Sequence, residues 1–345
     1  MTSSRMAAEI AEIPDCVTRQ RGEGREALDA AGVAMRRPAP RFLATVARGS
    51  SDHAATYLKT LVEMRARVPV ASLTPSTASV YGVDLMLDGA AAIAISQSGA
   101  SPDLLATMAM ARRGGAETFA IVNAPDAPLA RDGARVLPIA AGPERAVAAT
   151  KSFVGSLTAA AGLVAAWTGD GEIEDALDRL PDVLGCAVAT DWDAALEAFV
   201  SIGSAFMLGR GPSLGLAGEA ALKCKECCEL HAEGYSAAEV LHGPLQLAAG
   251  PLVVLVFAAD GPTRDSTGHT IARLVDAGAR VLVADAGRDP GFDGTTTLPT
   301  VRAGHPLLEP VAQAASFYRF VEALARTRGH DPDAPSLLAK VTRTR

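Results

Sequence analysis

Sliding the chain along itself by 162 residues aligns three strand–turn units, and this offset limits the possible folds more than any other feature. Arg48-Gly49 falls on Arg210-Gly211 and Ser51 falls on Ser213. The same shift carries the apolar run 91–95 onto 253–257, Gly99 onto Gly261, and 118–123 onto 280–285. Similar apolar strands pair by chance, but glycines that match at the turns argue for two copies of one α/β domain.

The first copy gives the clearest reading. Residues 42–47 form a short apolar strand that meets Arg48-Gly-Ser-Ser-Asp-His, and a helix follows over about 54–64. Such a strand–turn–helix unit points backbone N–H groups at an anion. Residues 90–95 are wholly apolar, as in a parallel strand buried on both faces. Ser101 is placed as an N-cap, Pro102 at the first helical position and Asp103 in the first turn of a helix that runs to Arg113. Further strands are expected at 118–122 and 135–139, and a long helix ends near Trp167. The expected organisation is an N-terminal helical segment over 1–40, in which Pro14 interrupts the apolar pattern, and a first domain over 41–170. A charged connection over 171–193, a second domain over 194–329 and a tail over 330–345 complete it.

A chain of 345 residues suits two domains with a sizeable core. It is 49% hydrophobic but only 4% aromatic, and it holds 32 glycines, so its packing must come from close approach of backbones. The net charge of −7 argues against nucleic acid as a partner but leaves room for an anion at a helix N-terminus. The cysteines (Cys16, Cys186, Cys224, Cys227 and Cys228) are odd in number and crowded, unlike a secreted disulfide framework. Cys224 and Cys227 lie on a helical pattern with no second pair, and read as buried thiols before a zinc or redox site. There is no apolar leader and no run of membrane-spanning length, so a cytoplasmic protein without membrane contact is expected.

Residues 218–244 carry the densest set of ionisable groups: Lys223, Glu226, His231, Glu233 and His242. The stretch opens as a helix, is expected to break at Gly234, and ends in Leu-His-Gly-Pro. Without further context a solvated helix face and a turn would explain it as well as a reactive site. The two copies differ here and at the second turn. Copy one offers hydroxyls at Ser96, Ser98 and Ser101, whereas copy two has Ala258, Ala259 and Asp260, with Asp260 in the place of Ser98. A carboxylate there repels phosphate, so copy one is the better phosphate cradle.

Four motifs together resemble the SIS (sugar isomerase) family: Arg48-Gly-Ser-Ser, Ser96-Gln-Ser-Gly, Ala141-Gly-Pro-Glu with Ala149-Thr-Lys-Ser-Phe, and His231-Ala-Glu-Gly-Tyr with His242-Gly-Pro. The closing Leu338-Ala-Lys-Val-Thr resembles the same family's tail. Within the family the chain is similar to the isomerase half of glucosamine-6-phosphate synthases and to stand-alone SIS-type deaminases. The resemblance implies an α/β fold of two tandem SIS domains, each a flavodoxin-like parallel sheet flanked by helices. It also implies a homodimer with shared active sites, a hexosamine 6-phosphate or fructose 6-phosphate as ligand, and no metal or organic cofactor. By matching positions, Ser51, Ser96, Gln97, Ser98 and Ser101 bind the phosphate, and Gly49, Ser50, Val147 and Ala339 are further substrate contacts. Glu226 shuttles the proton, with Lys223 one helical turn before it. His242 opens the sugar ring from the neighbouring subunit, and Lys340 meets the carbonyl. These residue types suit the chemistry: one carboxylate within reach can move a proton between C1 and C2, and an imidazole near neutrality suits ring opening.

The chain departs from that pattern at Ala100, where an acidic residue is common, and at Ser101, another hydroxyl residue in the family. Ala149 stands where serine is usual, and Pro212 stiffens the second Arg-Gly turn. The synthases also carry an upstream glutaminase with an N-terminal cysteine, whereas residue 2 here is Thr, so ammonia drawn from glutamine is not expected of this chain alone. The expected activity is conversion of glucosamine 6-phosphate to fructose 6-phosphate and ammonia. An ammonia-using synthase, a related phosphosugar isomerase or deglycase, and a non-catalytic sugar-phosphate sensor are the alternatives.

Overall fold

The computed structural model describes residues 4–124, 126–287 and 291–340. They form two compact units. Among the described residues, the first comprises those within 15–144 and 151–178 together with Lys340, and the second those within 4–14, 145–150 and 179–339. Each contains one five-stranded parallel sheet flanked by helices.

The first sheet contains β1 (Leu43–Val46), β2 (Val70–Ser72), β3 (Ala91–Ser96), β4 (Glu117–Val122) and β5 (Arg135–Pro138). Its order is β2-β1-β3-β4-β5, the flavodoxin-like arrangement. All six residues of β3 are buried, as the continuous apolar run requires of a strand covered on both faces. Close helix packing comes from small residues, as the composition demands. A Cβ on Gly32, in the helix Arg25–Arg36, would lie 2.6 Å from the Ala166 carbonyl carbon in the helix Lys151–Thr168.

The second sheet contains β6 (Ser204–Gly209), β7 (His231–Ser236), β8 (Val253–Ala258), β9 (Arg280–Asp285) and β10 (Thr296–Leu298). Its order is β10-β9-β8-β6-β7. Read from β7, this repeats the order of the first sheet, so the 162-residue offset marks repeated topology as well as repeated motifs.

Two expectations need correction. The helix of the dense stretch is Ser213–Cys228 and ends well before Gly234, because Glu229 turns left-handed at φ 48° and donates its N–H to the Cys224 carbonyl. Gly234 instead lies in β7, where a Cβ would meet Gly218 Cα at 2.8 Å, so glycine lets the strand pass under the helix. The helical run does break beside Pro14: Arg5–Ala11 ends at Glu12, and Pro14 is the second residue of the next helix, Ile13–Glu23, in the first turn where no N–H is missed. The charged connection contains a 19-residue helix, Gly171–Ala189, with Pro181 inside it.

The second sheet is tied to the helix Glu309–Thr327 by Gln313, whose Nε2 donates to the Ala258 and Ala284 carbonyls at 2.6 and 2.9 Å. Glu309 opens that helix, and its Oε1 accepts the Ala303 N–H at 3.1 Å. Burial pushes the Glu309 carboxyl up to about 7, against the Ala303 hydrogen bond and the charge of Arg302. The folded state therefore holds this proton more tightly than the unfolded chain, whose carboxyl titrates near 4.5. The contribution is fully present below about 4.5 and is lost as pH rises towards 7. Between pH 5 and 8 the wild type should lose on the order of 2 kcal/mol that Glu309→Gln does not lose. Urea denaturation across this range reads the difference, and parallel profiles for the two proteins would refute it.

Candidate active site

In a sheet of this order ligands settle beyond the carboxyl ends of the strands where the order reverses, here β1 and β3. β1 leads to Gly49, which at φ 55° caps the helix Ser50–Leu61, so Ser50 and Ser51 occupy its first turn. β3 ends on Ser96, whose Oγ accepts the Gly99 N–H at 3.0 Å. Gly99 is required there: at φ 60° a Cβ would lie 2.5 Å from that of Ala127. Gln97 and Ser98 are half-buried, and the Ser98 hydroxyl accepts the Ala100 N–H at 3.4 Å. Ser101 takes the N-cap position of Pro102–Arg113, yet its hydroxyl makes no capping hydrogen bond. The expected cap is thus one of position only, and the side chain stays available to a ligand. Ser51, Ser96, Gln97, Ser98 and Ser101 all follow these two adjacent strands. Two helix N-termini open there as well, a suitable setting for an anion.

In the second unit the helix Ser213–Cys228 carries the ionisable cluster. Lys223 is fully buried, with Glu219 at 3.4 Å and Glu226 in direct ion-pair contact. Glu219 is itself fully buried and accepts the Tyr318 hydroxyl at 2.8 Å. Burial alone would lower the Lys223 pKa, but Glu219 and then Glu226 outweigh it and hold the ammonium raised. The Glu226 side chain is 23% exposed, so it is the end of this chain of contacts that a substrate can reach. Glu219 was missed in the sequence, although its i,i+4 spacing to Lys223 was visible there. Cys224 and Cys227 lie on the same helix and are buried; burial pushes the Cys227 thiol up to about 12. Among the described residues no cluster of His, Cys, Asp and Glu is placed to hold a metal, and no helix is long and apolar enough to cross a membrane.

His242 closes a short 3₁₀ turn, Glu239–His242, and is exposed. It makes no hydrogen bond or ion pair with Glu226 among the described residues. His231 is exposed at the start of β7, and Glu233 accepts the Tyr235 hydroxyl at 2.8 Å. Val147 donates its N–H to the Asp333 carbonyl at 3.2 Å. The Asp333 carboxylate in turn accepts the Arg5 and Met6 N–H groups at 2.8 Å, and Glu9 accepts from Arg145 and Ala146. The N-terminal helix Arg5–Ala11 therefore fastens both the 145–147 loop and the tail, a role its sequence did not announce. Ala339 is exposed. Within the first unit, Lys340 lies 3.1 Å from Glu144, whose buried carboxylate also accepts the Ser152 N–H and hydroxyl at 3.1 and 2.6 Å. Glu144 was quoted only as part of a motif. Val341 and Thr342 of the tail motif, and Thr2, lie outside the described residues.

The family model for the SIS domain matches residues 40–166. Among curated proteins, the glutamine–fructose-6-phosphate aminotransferase (isomerizing) of Zymomonas mobilis is 33% identical over 309 residues. That match covers 86% of this chain and 51% of the relative, so the chain spans about half the length of the curated relatives it matches. Among solved structures, a Silicibacter pomeroyi protein described as a phosphosugar isomerase is 44% identical at a TM-score of 0.91, over 96% of this chain and all of that one. The C-terminal domain of glucosamine-fructose-6-phosphate aminotransferase from Francisella tularensis is 25% identical at a TM-score of 0.84, over 96% and 98%.

The buried ammonium supports a test independent of activity. Lys223→Met leaves the Glu219 carboxylate buried without its counter-charge, and should lower the unfolding free energy by about 3 kcal/mol. Adding Glu219→Gln should restore part of that loss. Urea denaturation of the three proteins decides the matter, since a single variant as stable as wild type would refute the buried ion pair.

Proposed function

The chain belongs to the SIS family, and from that premise we propose that it is an amino-sugar phosphate deaminase with two tandem SIS domains, converting glucosamine 6-phosphate to fructose 6-phosphate and ammonia. The observation that carries this reading is the half-open Glu226 carboxylate held beside the buried Lys223 ammonium. Such a carboxylate has a fixed position and a free edge, the two properties that proton transfer between neighbouring carbons demands.

In this mechanism Ser51, Ser96, Gln97, Ser98 and Ser101 hold the 6-phosphate, with Gly49 and Ser50 lining the first turn. His242 of a second copy moves the proton that opens the pyranose, consistent with its exposure and its lack of a bond to Glu226. Lys340, with Ala339 and Val147 nearby in sequence or by motif, faces the C1 carbonyl. Glu226 takes the C2 proton, leaving an enolamine, and returns the proton to C1. The resulting C2 imine adds water and expels ammonia. Glucosamine 6-phosphate and water supply every atom, so this reaction requires no other nitrogen source. The names of the relatives, which refer to fructose 6-phosphate and glucosamine, support the substrate class.

Purified protein incubated with glucosamine 6-phosphate should release fructose 6-phosphate and ammonia in equal amounts. Glu226→Gln should slow both by at least about 100-fold. Full turnover in that variant would remove Glu226 from the mechanism. Thermal stabilisation by the sugar with no product would replace the enzyme with a sensor.

A further inference from the structure

Arg48 was read only as part of a turn motif, yet its side chain is placed at the phosphate crevice. It lies two residues beyond Val46 of β1, as Ser96 lies two residues beyond Ala94, the β3 residue paired with Val46. Its Nε and Nη2 both donate to Asp103 Oδ2, at 3.0 and 2.9 Å. Asp103 is 1% exposed, and its other oxygen accepts the Leu104 N–H at 2.9 Å, so the anchor is fixed in the first turn of the helix that Ser101 opens. The Arg48 side chain nonetheless remains 52% exposed. A guanidinium has five N–H donors, and Asp103 engages only two of them.

Local charge gives this placement its significance. Asp52 and Asp103 stand in the first turns of the two helices that open onto the crevice, and Asp52 lies within the electrostatic reach of Arg48. Without the guanidinium two carboxylates would flank an anion site. The second unit provides an internal comparison. The 162-residue offset carries Arg48 and Asp103 onto Arg210 and Asp265, which form no ion pair among the described residues. There Arg264 pairs with Asp285 instead, and Asp260 replaces the Ser98 hydroxyl. Only the copy with the serine loop has the arginine held in place.

We infer that Arg48 is a substrate-binding residue: anchored by Asp103, it turns its remaining N–H donors to the substrate's phosphate and selects a phosphorylated sugar over a neutral one. A planar guanidinium fixed on one edge suits phosphate, whose oxygens accept two parallel hydrogen bonds. The inference rests on the phosphate crevice proposed above.

Calorimetric titration with inorganic phosphate tests it, alongside KM for glucosamine 6-phosphate. Arg48→Gln should weaken phosphate binding and raise KM together, each by about tenfold or more. The double variant Arg48→Gln/Asp103→Asn should remain as weak as the single one. Recovery of wild-type affinity in the double variant would overturn the inference, since Arg48 would then only neutralise Asp103. Wild-type affinity in Arg48→Gln would overturn it while leaving the crevice intact. A wild type that binds no phosphate would overturn both. Should Arg48→Gln fail to fold, Arg48→Lys carries the test. It keeps the charge and loses the fork, so it should bind phosphate severalfold more weakly, and equal binding would overturn the inference.

Discussion

A parallel sheet must be covered on both faces, because its crossover helices lie there and its strands are apolar throughout. In this chain the covering is done with few aromatic residues. Backbones come close enough that a Cβ would collide at Gly32, at Gly234 and at Gly155, where it would lie 2.7 Å from an Ile139 methyl. Close cover leaves the carboxyl ends of the strands as the openings in each layer, and the polar motifs follow from that constraint. Ser96–Ser101 and Ser50–Ser51 are loops and helix starts at those ends, where N–H groups without intrahelical partners point outward.

The two sheets share an order but not a charge pattern. In the first unit hydroxyls and an anchored arginine surround the strand ends. In the second, Asp260 takes a serine's place, and Gln313 binds the ends of β8 and β9 through their carbonyls. A side chain that closes those carbonyls removes polar groups from the mouth of the crevice. The helix after β6 has instead acquired Glu219, Lys223 and Glu226. The two sheets thus give equivalent frames, and under the proposed function the difference in residues divides anion binding from proton transfer.

Much of this was legible in the sequence because the relevant signals are local. The runs that became β1, β3, β4, β8 and β9 are continuous and apolar, and the Lys223–Glu226 spacing places both on one helix face. Of the four edge strands, β5 was expected at 135–139 and the other three were not legible. β2 and β10 have three residues each, and β7 is the polar stretch His231–Ser236, whose pairing with β6 gives no periodic signal. The helix end at Cys228 depends on a left-handed Glu229, a residue type that does not announce that conformation. Long-range partners were equally hidden. Tyr318 lies 99 residues from Glu219, and Lys340 lies 196 from Glu144, so neither pairing exists until the fold brings them together.

Under the proposed function, the Lys223 cluster favours Glu226 over Glu219 as the carboxylate that meets the substrate, although both contact the same ammonium. A buried lysine tends to lose its charge, and two carboxylates are needed here to reverse that tendency. Glu219 is fully enclosed and held by the Tyr318 hydroxyl, so a proton arriving there would disrupt a buried ion pair with no water to compensate. Glu226 is open on one side, and a proton exchanged there leaves Lys223 still paired with Glu219. In the proposed cycle the inner carboxylate keeps the lysine paired, and the outer one is the side open to the substrate. If both carboxylates were equally buried, neither could change its charge without destabilising the helix. If both were exposed, the lysine would be hydrated and would fix neither in place.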